Sequence, residues 1–196
     1  MSTSKSLRSI FAELPRPFFR SNAPEVPING ISIDSRAVKP GHLFVAMKGG
    51  TVDGHEYIPK AIDRGVAAVV GSREMDGLAV PYIRLEDPRR ALTWMAAAFH
   101  YWPGRRLTVI GVTGTDGKTT PTNLIYRILL AAGFKAGMVS TVNAVIGDEV
   151  LDTGFHVTTP DAHDLQSYLA RMVDAGLTHV VLETTSHGWA QYRVDA

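Results

Sequence analysis

Apolar positions along the chain change rhythm near residue 104. In the first part, Leu7, Ile10, Phe11 and Leu14 fall three and four residues apart, which predicts a short helix over residues 6–14, ended by Pro15 and Pro17. Residues 28–33 and 43–46 have the short apolar pattern of strands, with Lys39-Pro40-Gly41 as the turn between them. Residues 57–64 predict a helix stopped by Gly65, 66–70 a buried β-branched strand, and 82–85 another strand. Residues 88–101 have helical spacing, with Pro88 at the start, where a missing N–H is harmless.

Trp102-Pro103-Gly104-Arg105-Arg106 breaks this pattern and marks a domain boundary, giving expected domains of residues 1–104 and 105–196. A regular alternation follows. Strand 107–112 leads through a loop to helix 119–132 and strand 136–140. A hairpin around Gly147-Asp148, helix 162–175 and strand 179–182 complete it. Strands alternating with long helices predict an α/β fold with a mostly parallel sheet covered on both faces. About three core strands are predicted in this second domain, fewer than a typical sheet holds, so it is expected to be cut short.

Composition narrows the classes. At 196 residues and 45% hydrophobic, the chain can bury one good core or two small ones. Lys and Arg number 20 against 19 Asp and Glu, so no basic surplus points to nucleic acid. Cysteine is absent, which removes disulfides and thiolate metal sites. No run approaches the roughly 18 apolar residues of a membrane helix, and no long apolar run follows Met1, so a secretory leader is not expected. The expectation is a cytoplasmic monomer with neither a nucleic-acid nor a membrane partner.

The chemistry concentrates where strand 107–112 runs into Thr113-Gly114-Thr115-Asp116-Gly117-Lys118-Thr119-Thr120 and a helix begins. Glycines let the backbone turn N–H groups toward phosphate oxygens, and the helix N-terminus adds its positive dipole end. Lys118 offers a mobile charge to the β- and γ-phosphates of ATP, and the Thr119 hydroxyl a ligand to Mg²⁺. The general pattern G-x-x-x-x-G-K-[ST] requires glycine at position 112, where Val112 stands; the variant G-x-x-G-T-x-G-K-T-T fits instead. Asp116, an acid beside phosphates, is expected to point away. Glu183 follows the apolar residues Val180, Val181 and Leu182, at the strand end where open α/β sheets bind ligands, and can hold Mg²⁺ opposite Thr119.

From Gly111 to Thr120 the loop resembles the ATP loop of the Mur ligases, which build the peptide of the UDP-linked muramyl precursor of peptidoglycan. Two further stretches are similar to that family. One comprises Ile33-Asp34-Ser35-Arg36 with Asp53-Gly54-His55. The other comprises Thr158-Thr159-Pro160 with Glu183-Thr184-Thr185-Ser186-His187-Gly188, Gln191 and Arg193. The last segment favours the branch that adds the third amino acid to UDP-N-acetylmuramoyl-L-Ala-D-Glu. The branch that adds a terminal dipeptide and the folate-glutamate ligases share the loop without it.

The resemblance implies a small α/β UDP-binding domain followed by a truncated P-loop ATPase domain. It implies catalytic roles for Lys118 and Glu183, Mg²⁺ at Thr119 and Glu183, and ATP phosphates at residues 114–120. It implies precursor contacts at Ile33, Ser35, Gly50, Thr51, Val52, Thr158, Thr159, Thr185, Gln191 and Arg193. The third partner is an amino acid, diaminopimelate or lysine. Family members continue through a carbamylated lysine and a C-terminal domain that selects this amino acid, so the 196 residues are expected to be inactive alone.

Plainer readings stand beside these. Asp34-Ser35-Arg36 fits a polar turn with Arg36 paired to Asp34. Pro160 keeps Thr159 extended in a helix-entry loop where Asp161 caps the helix. Thr185, Gln191 and Arg193 fit a solvated helix face. His187 has no partner at metal-ligand spacing. The competing function is a non-catalytic truncated homologue that holds a UDP-sugar or nucleotide.

Overall fold

A computed structural model of the chain describes residues 4–50, 52–152 and 159–196, in two compact units, Met1–Phe99 and His100–Ala196.

The first unit starts with β1 (Lys5–Ser6), α1 (Leu7–Ala12) and β2 (Pro27–Ile28), then β3 (Gly30–Ser32) and β4 (His42–Val45). A 3₁₀ turn (Gly54–Tyr57) runs into α2 (Ile58–Asp63); β5 (Ala68–Gly71), β6 (Tyr82–Arg84) and α3 (Pro88–Phe99) complete it. Strands β3 to β6 form a four-stranded, all-parallel sheet in chain order. Phe44, Ala46 and Val69 pack with Val38, Ile58, Ala61 and Val66 as one core. Gly65, at φ +84°, turns the chain out of α2, as its place after the helical pattern predicts.

Helix α3 is tied at both ends. Asp87 accepts the Arg90 N–H at 2.9 Å, capping the start beside Pro88. At the other end the buried Lys5 ammonium donates to the Ala98 carbonyl at 2.6 Å and pairs with Glu13 at 2.7 Å. A cation there satisfies an orphan carbonyl and suits the helix dipole.

His55 is a second tie point. Its Nε2 accepts the Ser72 N–H at 2.9 Å, so Nδ1 carries the proton and donates to Asp53 at 2.6 Å. The His55 backbone N–H, then its ring, then Arg73 hold the Asp53 carboxyl below the usual carboxylate range. Gly71 makes room for the ring: a Cβ there would lie 2.6 Å from the Tyr82 hydroxyl and 2.8 Å from His55 Nε2.

The second unit contains a 3₁₀ turn (Pro103–Arg106), β7 (Thr108–Val112), α4 (Thr119–Ala131), β8 (Ala136–Val139), β9 (Asn143–Ile146), β10 (Glu149–Asp152), α5 (Ala162–Asp174), β11 (His179–Glu183) and α6 (Ser186–Ala190). The sheet order is β10-β9-β8-β11-β7. Strands β7, β11 and β8 are parallel, and the predicted hairpin β9–β10 extends the sheet antiparallel.

Alternation explains the two layers. Val139, Val180 and Leu182 pack with Leu165, Leu169 and Met172 of α5 on one face. Ala136, Met138 and Val181 pack with Tyr126 of α4 on the other. Coverage on both faces therefore holds for β8 and β11. It fails for β7, which lies at the edge with Val109 43% exposed, because α4 packs over β8 and β11. Among the described residues, no helix is long and apolar enough to cross a membrane.

Candidate functional site

Register brings the sequence-predicted groups together. Glu183, last residue of β11, pairs with Val112, last residue of β7, and the Thr184 N–H donates to the Val112 carbonyl at 2.8 Å. Both strands therefore end at one level, where the glycine-rich loop before α4 begins.

Gly117, at φ +72°, turns the loop into α4, a conformation that a side chain would strain. Lys118 is already helical at the N-cap position, and no side chain caps the helix. The first turn of a 13-residue helix thus keeps the donor groups that suit a phosphate. The Lys118 ammonium folds over the loop and donates to the carbonyls of Gly114 at 3.0 Å and Thr115 at 3.1 Å. Asp116 is exposed, as are Gly114, Thr115 and Thr120.

Glu183 is only 1% exposed. Its carboxylate receives the Thr119 hydroxyl at 3.2 and 3.3 Å, across 64 residues of chain. Thr141, in the turn between β8 and β9, donates its backbone N–H to Oε2 at 3.1 Å and its hydroxyl to Oε1 at 3.0 Å. Three donors satisfy the buried carboxylate, with no basic residue among them. Sequence reasoning missed Thr141. Ser140-Thr141-Val142-Asn143 has no motif character, and only the fold brings it to Glu183.

The donor set fits Mg²⁺. Thr119 and Glu183 offer hard oxygen ligands, and a hydroxyl and one carboxylate leave the remaining positions to water and nucleotide phosphates. Among the described residues, no group of three or more His, Asp or Glu is placed to hold a metal, so a cation here would depend on the nucleotide.

Thr159, fully buried, accepts the Thr185 N–H at 3.1 Å, and Thr185 caps α6 by accepting the Gly188 N–H at 2.9 Å. Arg193 donates to the Thr159 carbonyl and, at 2.7 Å, to Gln191 Oε1, and pairs with Asp161 at 3.2 Å. Asp161 stands at the N-cap of α5 without making the expected side-chain cap bond; the guanidinium takes its carboxylate instead. Thr159, Thr185, Gln191 and Arg193 thus form one cluster, and His187 is exposed outside it. Thr158 lies outside the described residues.

In the first unit, Ser35 is buried, Ile33 half-buried, and Gly50 and Val52 exposed; Thr51 lies outside the described residues. Arg36 pairs with Asp34 at 2.8 Å, and this hydrogen bonding lowers the Asp34 carboxyl. The plain polar turn is therefore present around Ser35.

A model of the Mur ligase family catalytic domain matches residues 27–100, and one of the Mur ligase middle domain matches residues 112–196. The UDP-N-acetylmuramyl-tripeptide synthetase of Roseiflexus sp. (strain RS-1) is 47% identical over 162 residues, covering 82% of this chain and 32% of the relative. The UDP-N-acetylmuramoyl-L-alanyl-D-glutamate--2,6-diaminopimelate ligase of Geobacillus thermodenitrificans (strain NG80-2) is 40% identical over 188 residues, covering 96% and 38%. A solved ligase of the same name matches with TM-score 0.76 at 26% identity, covering 98% of this chain and 38% of its own. The chain spans about a third of the length of the curated relatives it matches. With two domain models in order along its length, and the loop and Glu183 inside the second, the chain belongs to the Mur ligase family.

Proposed function

We propose that this chain carries the precursor-binding and ATP-phosphate-binding parts of a cytoplasmic ligase that adds the third amino acid to UDP-N-acetylmuramoyl-L-Ala-D-Glu. Residues 1–104 form the precursor-binding domain, and 105–196 the first part of the ATP-binding domain. The observation that carries this reading is the meeting of Thr119 with the buried Glu183 beside the Lys118 loop. The names of the relatives supply the substrate class: a tripeptide synthetase and diaminopimelate ligases acting on the muramoyl dipeptide.

In this reaction a substrate carboxylate attacks the γ-phosphorus of ATP and ADP leaves. The incoming amine then attacks the acyl phosphate, loses a proton, and expels phosphate as the amide forms. Both reactants of the first step are anions, so catalysis rests on charge neutralisation and positioning. Thr119 and Glu183 would hold Mg²⁺, which would supply positive charge at the phosphates. Lys118 exchanges the Gly114 and Thr115 carbonyls for phosphate oxygens, and the N–H groups of residues 114–120 orient the triphosphate. Ile33, Ser35 and the segment 50–52 take the UDP end of the precursor; Thr158, Thr159, Thr185, Gln191 and Arg193 take its muramyl-peptide end. Diaminopimelate, named for several relatives, is the amino acid this assignment favours over lysine.

Calorimetric titration of the 196-residue chain with Mg²⁺–ATP and with UDP-muramoyl-dipeptide tests the assignment. Saturable binding of both is expected, and Lys118→Ala removes the first alone. A folded sample that binds neither ligand refutes it.

A further inference from the structure

The Glu183 carboxylate is held from two sides that differ in rigidity. Thr119 has one hydroxyl proton, placed almost equally between the two carboxylate oxygens at 3.2 and 3.3 Å, so it selects neither. Thr141 engages each oxygen separately, with its amide on Oε2 and its hydroxyl on Oε1. The amide cannot rotate, and its turn is braced. Ser140 Oγ accepts the N–H groups of Val142 and Asn143 at 3.3 Å, while the Ser140 N–H donates to the Asn143 carbonyl at 2.8 Å. Two bonds from one braced residue fix both the position and the plane of a carboxylate. A metal-directed carboxylate needs this from a neighbour that does not itself bind the ion.

We infer that Thr141 is a positioning residue: it clamps Glu183 in the orientation that receives the Mg²⁺ of a bound nucleotide, and so makes the β8–β9 turn part of the metal site. This rests on the nucleotide-site reading above.

The test uses Thr141→Val, which keeps the β-branched shape and the backbone amide but removes the hydroxyl, and Thr141→Ser, which restores it. ATP binding to each 196-residue chain is measured by calorimetry across a Mg²⁺ series and in EDTA. Thr141→Val raises the Mg²⁺ concentration needed for half-maximal strengthening of ATP binding about tenfold, the usual scale for losing an outer-shell partner. Its ATP affinity in EDTA stays at the parental value, and Thr141→Ser behaves as the parent. An unchanged Mg²⁺ dependence in Thr141→Val overturns the inference and leaves the nucleotide site standing. Equal weakening with and without Mg²⁺ also overturns it, because that is a general loosening. A folded parent that binds no ATP in either condition overturns the nucleotide-site reading, and the inference with it.

Discussion

Replacing Glu183 separates its structural work from its charge. Its carboxylate accepts the Thr141 amide and the hydroxyls of Thr119 and Thr141 in a place closed to water. In Glu183→Gln the amide oxygen can face the Thr141 N–H, and the NH₂ group can face the Thr141 hydroxyl, which rotates to accept. The Thr141 amide keeps its acceptor and only the Thr141 hydroxyl changes role, so stability shifts by no more than about 1 kcal/mol, the scale of one neutral hydrogen bond. Glu183→Leu fills the same space with methyl groups. The two hydroxyls can turn away, but the Thr141 amide cannot, and an orphaned buried donor costs about 1–3 kcal/mol. The leucine variant is therefore expected to be about 2 kcal/mol less stable than the glutamine variant, roughly 8–16 °C in melting temperature for a unit of this size. Urea denaturation followed by circular dichroism measures the first figure and thermal scanning the second. Equal stability of the two variants would refute the reasoning, since it would mean that the Thr141 amide has another acceptor in solution. Both variants are expected to lose Mg²⁺-dependent nucleotide binding, so stability alone distinguishes them.

Other expectations follow from single contacts. Gly188→Ala would put a Cβ 2.7 Å from the hydroxyl of the fully buried Thr159, so α6 must shift; a loss of about 1–3 kcal/mol in denaturation and weaker precursor binding are expected. His55→Leu leaves the Ser72 amide and one Asp53 oxygen without the ring and should destabilise the first unit by about 2 kcal/mol, read as faster amide exchange in β5 and β6. Burial, and then the charge of His163, push His100 down to about 4 against Asp174. Its folded value lies below its unfolded value near 6.5, so the stability it contributes is complete above pH 6.5 and is lost as pH falls toward 4. Denaturation at pH 7 and pH 4.5 should show a smaller drop for His100→Gln than for the parent, and equal drops would discard this assignment.

The central strands, the long helices and the hairpin at Gly147 were all readable from apolar spacing, because each element is long or bounded by a strong turn residue. So was the meeting of the glycine-rich loop with Glu183, because both follow directly from strand ends. What escaped depends on contacts across distant chain segments. Thr141 reaches Glu183 across 42 residues, and nothing in its neighbours signals that. Asp161 has the right type and position for a helix cap, yet Arg193 competes for its carboxylate, a pairing that local rules do not weigh. The exposure of β7 escaped for the same reason: Val109 and Ile110 have the apolar character of a covered strand, and only the placement of α4 decides otherwise.

Strand β11 sits between β7 and β8 although it comes after both in the chain. Strand β8 can pair with β9 early, but β7 has no neighbour until residues 179–183 exist, so a ribosome must extrude some 70 residues beyond β7 before its ladder can close. Closing a loop of that length is a slow step, and it precedes any reward from pairing. The same event docks Glu183 beside Thr119. Arrival of the Glu183 carboxylate at Thr119 and completion of the sheet are therefore one moment in the life of the chain. A nascent polypeptide stalled short of β11 has residues 113–120 but no strand paired with β7 to hold them.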